Sequence, residues 1–275
     1  MMAKSADLHI HSYFSDGTLS PSQIIEQARQ NGLHCLALTD HDTIEGIAPL
    51  MEEAAKFDIE IISGIEISSA IQGRDVHILG YLFDTKNPPF LSSLSVIQNL
   101  RNQRMEQMVT KLHQLAMTNI TLQEVYEISG EGSVGRPHLA LLLKKKGWVK
   151  DIQEAFDRFL AEGGPAYVET LRISVQEAIS FIKQAGGVAV LAHPMITKID
   201  EMIPQFVQWG LGGIEAYYSQ SSSTITQFYK NLAKKYGLVV TGGSDAHGDI
   251  KKSTFIGKIK LPYAYVEALK EKARS

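Results

Sequence analysis

Residues 6–11 read Ala6-Asp7-Leu8-His9-Ile10-His11. In a strand, residues two apart share a face, so Asp7, His9 and His11 point the same way and the two imidazoles can bind one ion together. A strand whose C-terminal end carries such groups opens onto the side where (β/α) barrels build their sites.

Four more segments repeat the pattern. Thr39-Asp40-His41-Asp42 follows the apolar run 33–38. Glu66 sits in Gly64-Ile65-Glu66-Ile67-Ser68, with His77 beyond it. Ala192-His193-Pro194 ends the run 188–191, and Gly243-Ser244-Asp245-Ala246-His247 follows 238–240. A single histidine at a strand end is usually an ordinary polar residue. Five such clusters, spread from residue 7 to residue 247, require a fold that gathers them on one rim. His34 and His113 lie outside these clusters and read as ordinary polar residues. Asp42 reads as the cap of a helix starting near Thr43, and Asp7 as a group that orients a ligand histidine.

Short apolar runs alternate with amphipathic ones. Strands are predicted at 6–11, 35–39, 60–63, 76–83, 188–193, 213–217 and 238–242. Helices are predicted at 21–31, 43–57, 175–184, 201–209, 224–236 and 263–273. Ser20 and Pro21 form a start signal, and Asn31-Gly32 a stop. Repeated βα units imply a parallel sheet, and about seven strands suit an irregular barrel. No Gly-x-Gly-x-x-Gly follows the first strand, which argues against dinucleotide binding. Between residues 88 and 164 the alternation stops and helical patterns take over (91–117, 122–129, 137–146, 152–161). The expectation is an α/β barrel formed by 1–87 and 165–275, with a helical insertion, 88–164, over its mouth.

The chain has 275 residues, 44% of them apolar, enough for one large α/β domain with an insert. A net charge of -3 argues against broad electrostatic binding of nucleic acid, while leaving room for a local cationic pocket. Lys144-Lys145-Lys146 reads as a solvated helix end. The lone cysteine, Cys35, lies in an apolar run and reads as a core residue; no disulfide framework is possible. No run is long enough to span a membrane. The short lead before residue 7 leaves no room for a signal peptide, so a cytoplasmic protein is expected.

Nine candidate ligands (His9, His11, Asp16, His41, Glu66, His77, His193, Asp245 and His247) exceed what one ion needs. Two or three divalent ions sharing a bridging carboxylate are expected. Imidazole and carboxylate without thiolate suit zinc, manganese or iron better than a closed structural zinc site, and manganese is the first expectation. Such ions generate hydroxide at neutral pH and stabilise both oxygens of a phosphoryl transfer.

The motifs Asp7-x-His9-x-His11-Ser12-x-x-Ser15-Asp16-Gly17, Thr39-Asp40-His41-Asp42, Gly64-x-Glu66, His77, Ala192-His193-Pro194 and Gly243-Ser244-Asp245-x-His247 together resemble the PHP (polymerase and histidinol phosphatase) superfamily. The resemblance covers essentially the whole chain. It implies a distorted seven-stranded (β/α) TIM-like barrel with a trinuclear centre. His9, His11, Glu66 and Asp245 would hold one ion. Glu66 would bridge to a second held by His77 and His193, and Asp16, His41 and His247 would hold the third. Asp245, His193 and Glu66 form the implied catalytic set, with a hydroxide bridging two ions as nucleophile.

A second likeness narrows the subgroup. Gly135-Arg136-Pro137-His138 resembles a segment of stand-alone PHP phosphoesterases, among them nucleoside 3',5'-bisphosphate phosphatases and 5'-to-3' exoribonucleases. It implies that Arg136 and His138 bind a substrate phosphate, Arg136 through its planar fork and the following helix through free N–H groups. The chain departs from close relatives at Gly164, where a Lys often stands. It departs again at Leu141, and after His193, where Lys198 is the first cation. The implied activity is hydrolysis of a phosphate monoester of a small nucleotide, with a nucleoside 3',5'-bisphosphate as the leading substrate. The alternatives are a 5'-to-3' exoribonuclease on short RNA, a histidinol-phosphatase-like activity, and a non-catalytic metal-binding module. No obligate protein partner and no membrane are expected.

Overall fold

The computed structural model describes residues 4–130, 132–169, 172–251 and 253–275. In chain order its strands are β1 (Ser5–Ile10), β2 (Cys35–Leu38), β3 (Glu60–Ile62), β4 (Gly64–Ile71) and β5 (Arg74–Tyr81). They continue with β6 (Ile173–Ser174), β7 (Val188–Leu191), β8 (Gly213–Tyr218), β9 (Val239–Gly243) and β10 (Leu261–Pro262). Helices α1 (Pro21–Gln30) and α2 (Ile47–Ala54) follow the first two strands. Then come α3 (Pro88–Gln114), α4 (Leu122–Ser129), α5 (Arg136–Lys145) and α6 (Ile152–Ala155), the last running into a π-helical turn, Phe156–Leu160. The chain closes with α7 (Val175–Gln184), α8 (Pro194–Thr197), α9 (Ile203–Trp209), α10 (Ser223–Tyr236) and α11 (Ala264–Arg274).

The strands form two sheets, ordered β10-β1-β2-β3 and β6-β4-β5-β7-β8-β9. Backbone bonds join the sheets at two places. Beside β1, the Asp245 N–H donates to His9 O at 2.8 Å and the His11 N–H to Ala246 O at 3.0 Å. Beside β2, the Glu66 N–H donates to Asp40 O at 3.2 Å and the Asp42 N–H to Glu66 O at 3.0 Å. Gly243 makes the first junction possible: a Cβ there would lie 2.4 Å from the His9 nitrogen.

The sheet is mixed, where the sequence implied a parallel one. Pairs β1–β2, β2–β3, β7–β8 and β8–β9 are parallel. Pairs β4–β5 and β5–β7 are antiparallel. The cause is a hairpin that the sequence reading passed over. Residues 64–71 form β4, turn at Gln72-Gly73, where both residues have positive φ, and return as β5. Helix α2 also starts later than predicted, at Ile47 behind Gly46. Asp42 does not cap it: its φ is 53°, and its carboxylate turns back toward β4.

Apolar side chains divide among four clusters. One lies between β4, β5, β7, β8 and helices α7, α9 and α10, and takes in Phe90, Leu94 and Ile97 from the first half of α3. Two flank β1 and β2, with α11 on one side and α1 and α2 on the other. The fourth is formed within residues 105–168, by the rest of α3 with α4, α5 and α6. The start signal at Ser20 acts as read, here in a capping box with Gln23, and Ser174 forms a second box with Glu177. Cys35 is fully buried, and burial pushes its thiol pKa up, away from the reactive thiolate. Among the described residues no helix is long and apolar enough to cross a membrane.

Candidate metal centre

All nine predicted ligands converge: His9, Glu66 and His77 from within β1, β4 and β5, and His11, Asp16, His41, His193, Asp245 and His247 from beyond the ends of β1, β2, β7 and β9. Three overlapping sets place one ligand atom of each member within 4.8 Å of the others: His9, His11, Glu66 and Asp245; His11, Asp16, His41 and His247; and His41, Glu66 and His77. Glu66 divides its oxygens between them. Oε2 lies 3.2 Å from both His9 Nε2 and His11 Nε2 and 3.4 Å from His41 Nδ1. Oε1 lies 2.8 Å from His77 Nδ1 and 2.9 Å from His193 Nε2. Asp245 Oδ1 is 3.3 Å from His11 Nε2, and Asp16 Oδ1 is 3.3 Å from His247 Nε2.

The loops that present these groups are held by buried polar side chains. Asp40 accepts the Ser12 N–H at 2.7 Å and the Ser12 and Ser15 hydroxyls, fixing the turn that carries Asp16. Asp7 does not enter the cluster. It accepts the main-chain N–H groups of Ser244 and Gly257, both at 2.8 Å, and so ties β1 to the Asp245 loop. Burial pushes the Asp7 carboxyl up to about 6. His193 and Asp245 take positive φ, 25° and 52°, an uncommon conformation for residues with a Cβ and one that clusters at functional sites.

The electrostatics ask for cations. Burial alone would raise Glu66, but the His41, His77 and His9 imidazoles outweigh it and hold the carboxyl well below the usual range. His247 and His41 do the same for Asp16, and His9 and His11 for Asp245, again against burial. Burial in turn pulls His41 down to about 3, the neutral form that ligates. Buried ring nitrogens of His11 (both), His41 (Nδ1) and His193 (Nδ1) have no hydrogen-bond partner among the described residues. Orphaned nitrogens facing ionised carboxylates are what a set of metal ligands presents. The residues fit divalent ions.

A cavity of about 360 Å³ opens over the cluster. Asp16, His41, His77 and His193 form part of its wall. Four arginines form another part: Arg101 and Arg104 from α3, Arg136 at the start of α5, and Arg172 before β6. Ile97, Leu100, Phe156 and Ile173 supply apolar surface between them. Arg101 is fully engaged, by Asp42, Ser68 and the Val134 carbonyl. Arg172 pairs with Asp75. Arg104 donates to the Val168 carbonyl at 2.9 Å, but its buried Nη2 has no partner among the described residues. Burial, then the neighbouring Arg136, lowers the Arg104 pKa to about 10. Arg136 lies over the Phe156 and Tyr167 rings and reaches the Leu160 carbonyl at 3.4 Å.

His138 is placed differently. It is buried, is absent from the cavity lining, and its Nδ1 accepts the Gly135 N–H at 2.9 Å, closing the first turn of α5. Sequence reasoning missed Arg101, Arg104 and Arg172. It also missed Glu215, which is buried on β8 and touches both His9 and His193. The available signal was a lone carboxylate inside the apolar run Gly213-Ile214-Glu215-Ala216-Tyr217.

Comparison with known proteins agrees with this geometry. The PHP domain family matches residues 7–170. A 5'-3' exoribonuclease of Haemophilus influenzae is 35% identical over 251 residues, covering 90% of this chain and 91% of that protein. A 3',5'-nucleoside bisphosphate phosphatase of Chromobacterium violaceum is 33% identical, covering 88% and 86%. A crystal structure of an inferred metal-dependent phosphoesterase from Bifidobacterium adolescentis superposes with a TM-score of 0.89 at 30% identity, covering 98% and 96%. The chain belongs to the PHP family. It is a metal-dependent phosphoesterase, a hydrolase acting on phosphoric ester bonds.

Proposed function

We propose that this chain removes a phosphate from a small nucleotide carrying two phosphates, with a nucleoside 3',5'-bisphosphate as the leading substrate. One observation carries the reading: a single cavity is walled by the His–carboxylate cluster and also by arginines, two of which, Arg104 and Arg136, are not paired to a carboxylate among the described residues. One phosphate would sit at the cluster and the other against these guanidinium groups, whose planar forks suit phosphate oxygens. The volume lies at the lower end of small-molecule sites, roughly 300–1,000 Å³, which favours one nucleotide over a longer strand. Phe156 and Leu100 offer apolar surface for its base.

His9, His11, Glu66 and Asp245 would hold one ion, Glu66, His77 and His193 a second, and Asp16, His41 and His247 a third; manganese is our first choice, with zinc or iron as alternatives. Bound there, divalent ions supply a nucleophile at neutral pH and neutralise charge on the phosphoryl oxygens. We place Glu66, Asp245 and His193 in the catalytic set because Glu66 and Asp245 sit among the ion positions and His193 also lines the cavity. Arg136 and Arg104 bind and orient the substrate. His138 we assign to holding the Arg136 turn, which leaves phosphate binding to the arginines.

Strands β1, β2, β4, β5, β7, β8 and β9, with the two inter-sheet junctions, support a distorted seven-stranded barrel. Residues 88–164 we read as a helical cap inserted into a barrel of 1–87 and 165–275. A free, buried Cys35 is in keeping with a cytoplasmic location.

The test is phosphate release from adenosine 3',5'-bisphosphate by manganese-loaded protein, with Asp245→Asn as control. Release by wild type alone supports the reading. A second reading, trimming of short RNA from its 5' end, is favoured by the Haemophilus influenzae relative. Release of mononucleotides from a 5'-phosphorylated oligoribonucleotide, with no release from the bisphosphate, would replace the first reading by the second.

A further inference from the structure

Glu215 lies outside all three groups of candidate ligand atoms, yet it is 1% exposed and makes two short contacts to histidines of the cluster. Its Oε1 is 2.9 Å from His9 Nδ1. Its Oε2 accepts the His193 main-chain N–H at 2.8 Å. The two histidines come from strands far apart in sequence, and their Nε2 atoms face opposite oxygens of Glu66, at 3.2 and 2.9 Å.

We infer that Glu215 is a positioning residue that sets the tautomer of His9 and the backbone of His193 at the same time, and that it must be a carboxylate to do both. This rests on the metal-binding reading of the cluster. The reason is donor and acceptor arithmetic. A main-chain N–H can only donate, so the oxygen at His193 must accept. With a carboxylate, the second oxygen also accepts, so His9 carries its proton on Nδ1 and presents a bare Nε2 to Glu66 and Asp245. An oriented imidazole of this kind is the better ligand. The bond from the His193 N–H also secures strained backbone: His193 sits at φ 25°, ψ 58°. A conformation that costs on the order of 1–3 kcal/mol persists only where its surroundings over-determine it.

Glu215→Gln separates these demands. It is nearly isosteric, but its amide has one accepting end. The oxygen must serve the His193 N–H, so the NH₂ group faces His9 Nδ1. His9 must then accept there and carry its proton on Nε2, the nitrogen that faces the ion position. The change alters a proton's place while sparing the packing.

The experiment uses zinc alone as the probe. Zinc affinity is measured by competition against a chromophoric chelator for wild type and Glu215→Gln, and both metal-free proteins are unfolded in urea. The expected result is zinc binding weakened about 10- to 100-fold, with the metal-free unfolding midpoint unchanged. Wild-type affinity in Glu215→Gln overturns the proposal. So does an affinity loss matched by an equal loss of metal-free stability, since that is what a purely structural role predicts. Wild-type protein that binds no zinc overturns the metal reading itself and this inference with it. Should Glu215→Gln fail to fold, the ¹⁵N-imidazole spectrum of zinc-loaded wild type decides. His9 ligating through Nε2, with an exchange-protected Nδ1–H, supports the proposal; ligation through Nδ1 overturns it.

Discussion

Arg101 Nε donates to Asp42 Oδ2 at 2.6 Å, and this bond ties helix α3 to the residue directly after His41. The same guanidinium reaches Ser68 Oγ at 2.8 Å and the Val134 carbonyl at 3.2 Å. Asp42 also accepts the Ser68 N–H at 2.7 Å. One side chain thus fixes the strand-end loop, β4 and the segment leading into Arg136. Asp42 is fully buried, so removing its partner strands a charge. Arg101→Met is expected to cost about 3 kcal/mol, the low end for breaking a buried pair. Arg101→Lys should recover little, because a single ammonium cannot match three partners in fixed directions. Urea unfolding of the three proteins checks this; full recovery by lysine would mean that charge alone matters.

Arg136→Ala should raise KM for a nucleoside 3',5'-bisphosphate and leave turnover of a simple aryl phosphate near wild type. Among the described residues the side chain faces the cavity without a carboxylate partner, so its loss removes binding and little structure. A charge-assisted bond of about 1.5–3 kcal/mol predicts roughly 10- to 100-fold. Arg104→Ala should act in the same direction through its Nη2, which no described residue engages. Equal losses on both substrates would remove Arg136 from phosphate recognition.

What was legible beforehand follows from periodicity. The candidate ligands could be read because His41, His193, Asp245 and His247 follow the abrupt ends of apolar runs, and a strand of period two aims His9 and His11 together. The hairpin β4–β5 was hidden because Gly64-Ile65-Glu66 drew notice as a motif, although Ile65 and Ile67 alternate as strand residues do. Arg101 and Arg104 were illegible: one helical turn apart on a long helix, they look like a solvated face. Only the folding of α3 over the cluster turns that face inward. His138 looked like a phosphate donor because sequence cannot say which way a side chain near a helix start turns, and here it turns to the Gly135 N–H.

Metal removal should destabilise the protein. Without cations, Glu66 and Asp245 remain ionised and buried and Asp16 half-buried, opposed by imidazoles and, at Asp245, by Lys251 as well. Ligand bound to the native state alone adds about 4 kcal/mol at a thousand times its dissociation constant. Chelator treatment should therefore lower the thermal midpoint by several degrees, and added manganese should restore it. Asp245→Asn should abolish most phosphate release and show a smaller chelator effect. An unchanged midpoint in wild type would speak against occupied sites.

Glu60 and Lys270 offer a pH test away from the cluster. Lys270 and Tyr263 both bond the Glu60 carboxylate, joining α11 to β3. Burial would raise Glu60, but its bonds to Lys270 and Tyr263 outweigh it and hold the carboxyl below its ordinary value. A depressed acid contributes stability above its unfolded value, about 4.3, and loses it as pH falls through the folded value. For Lys270 burial opposes, and the bonds to Glu60 and Tyr263 prevail, so its pKa is raised. That contribution is full below the unfolded value, about 10.4, and is lost as pH rises through the folded value. The pair's contribution should therefore be level between these limits and fall at both ends. Glu60→Gln should flatten the acid limb of the stability curve and weaken the alkaline one. Because Glu60 is largely solvent-screened, the whole effect should stay within about 1 kcal/mol. Urea midpoints for both proteins across the pH range decide it: an acid limb as steep in Glu60→Gln as in wild type would assign acid unfolding to other carboxylates.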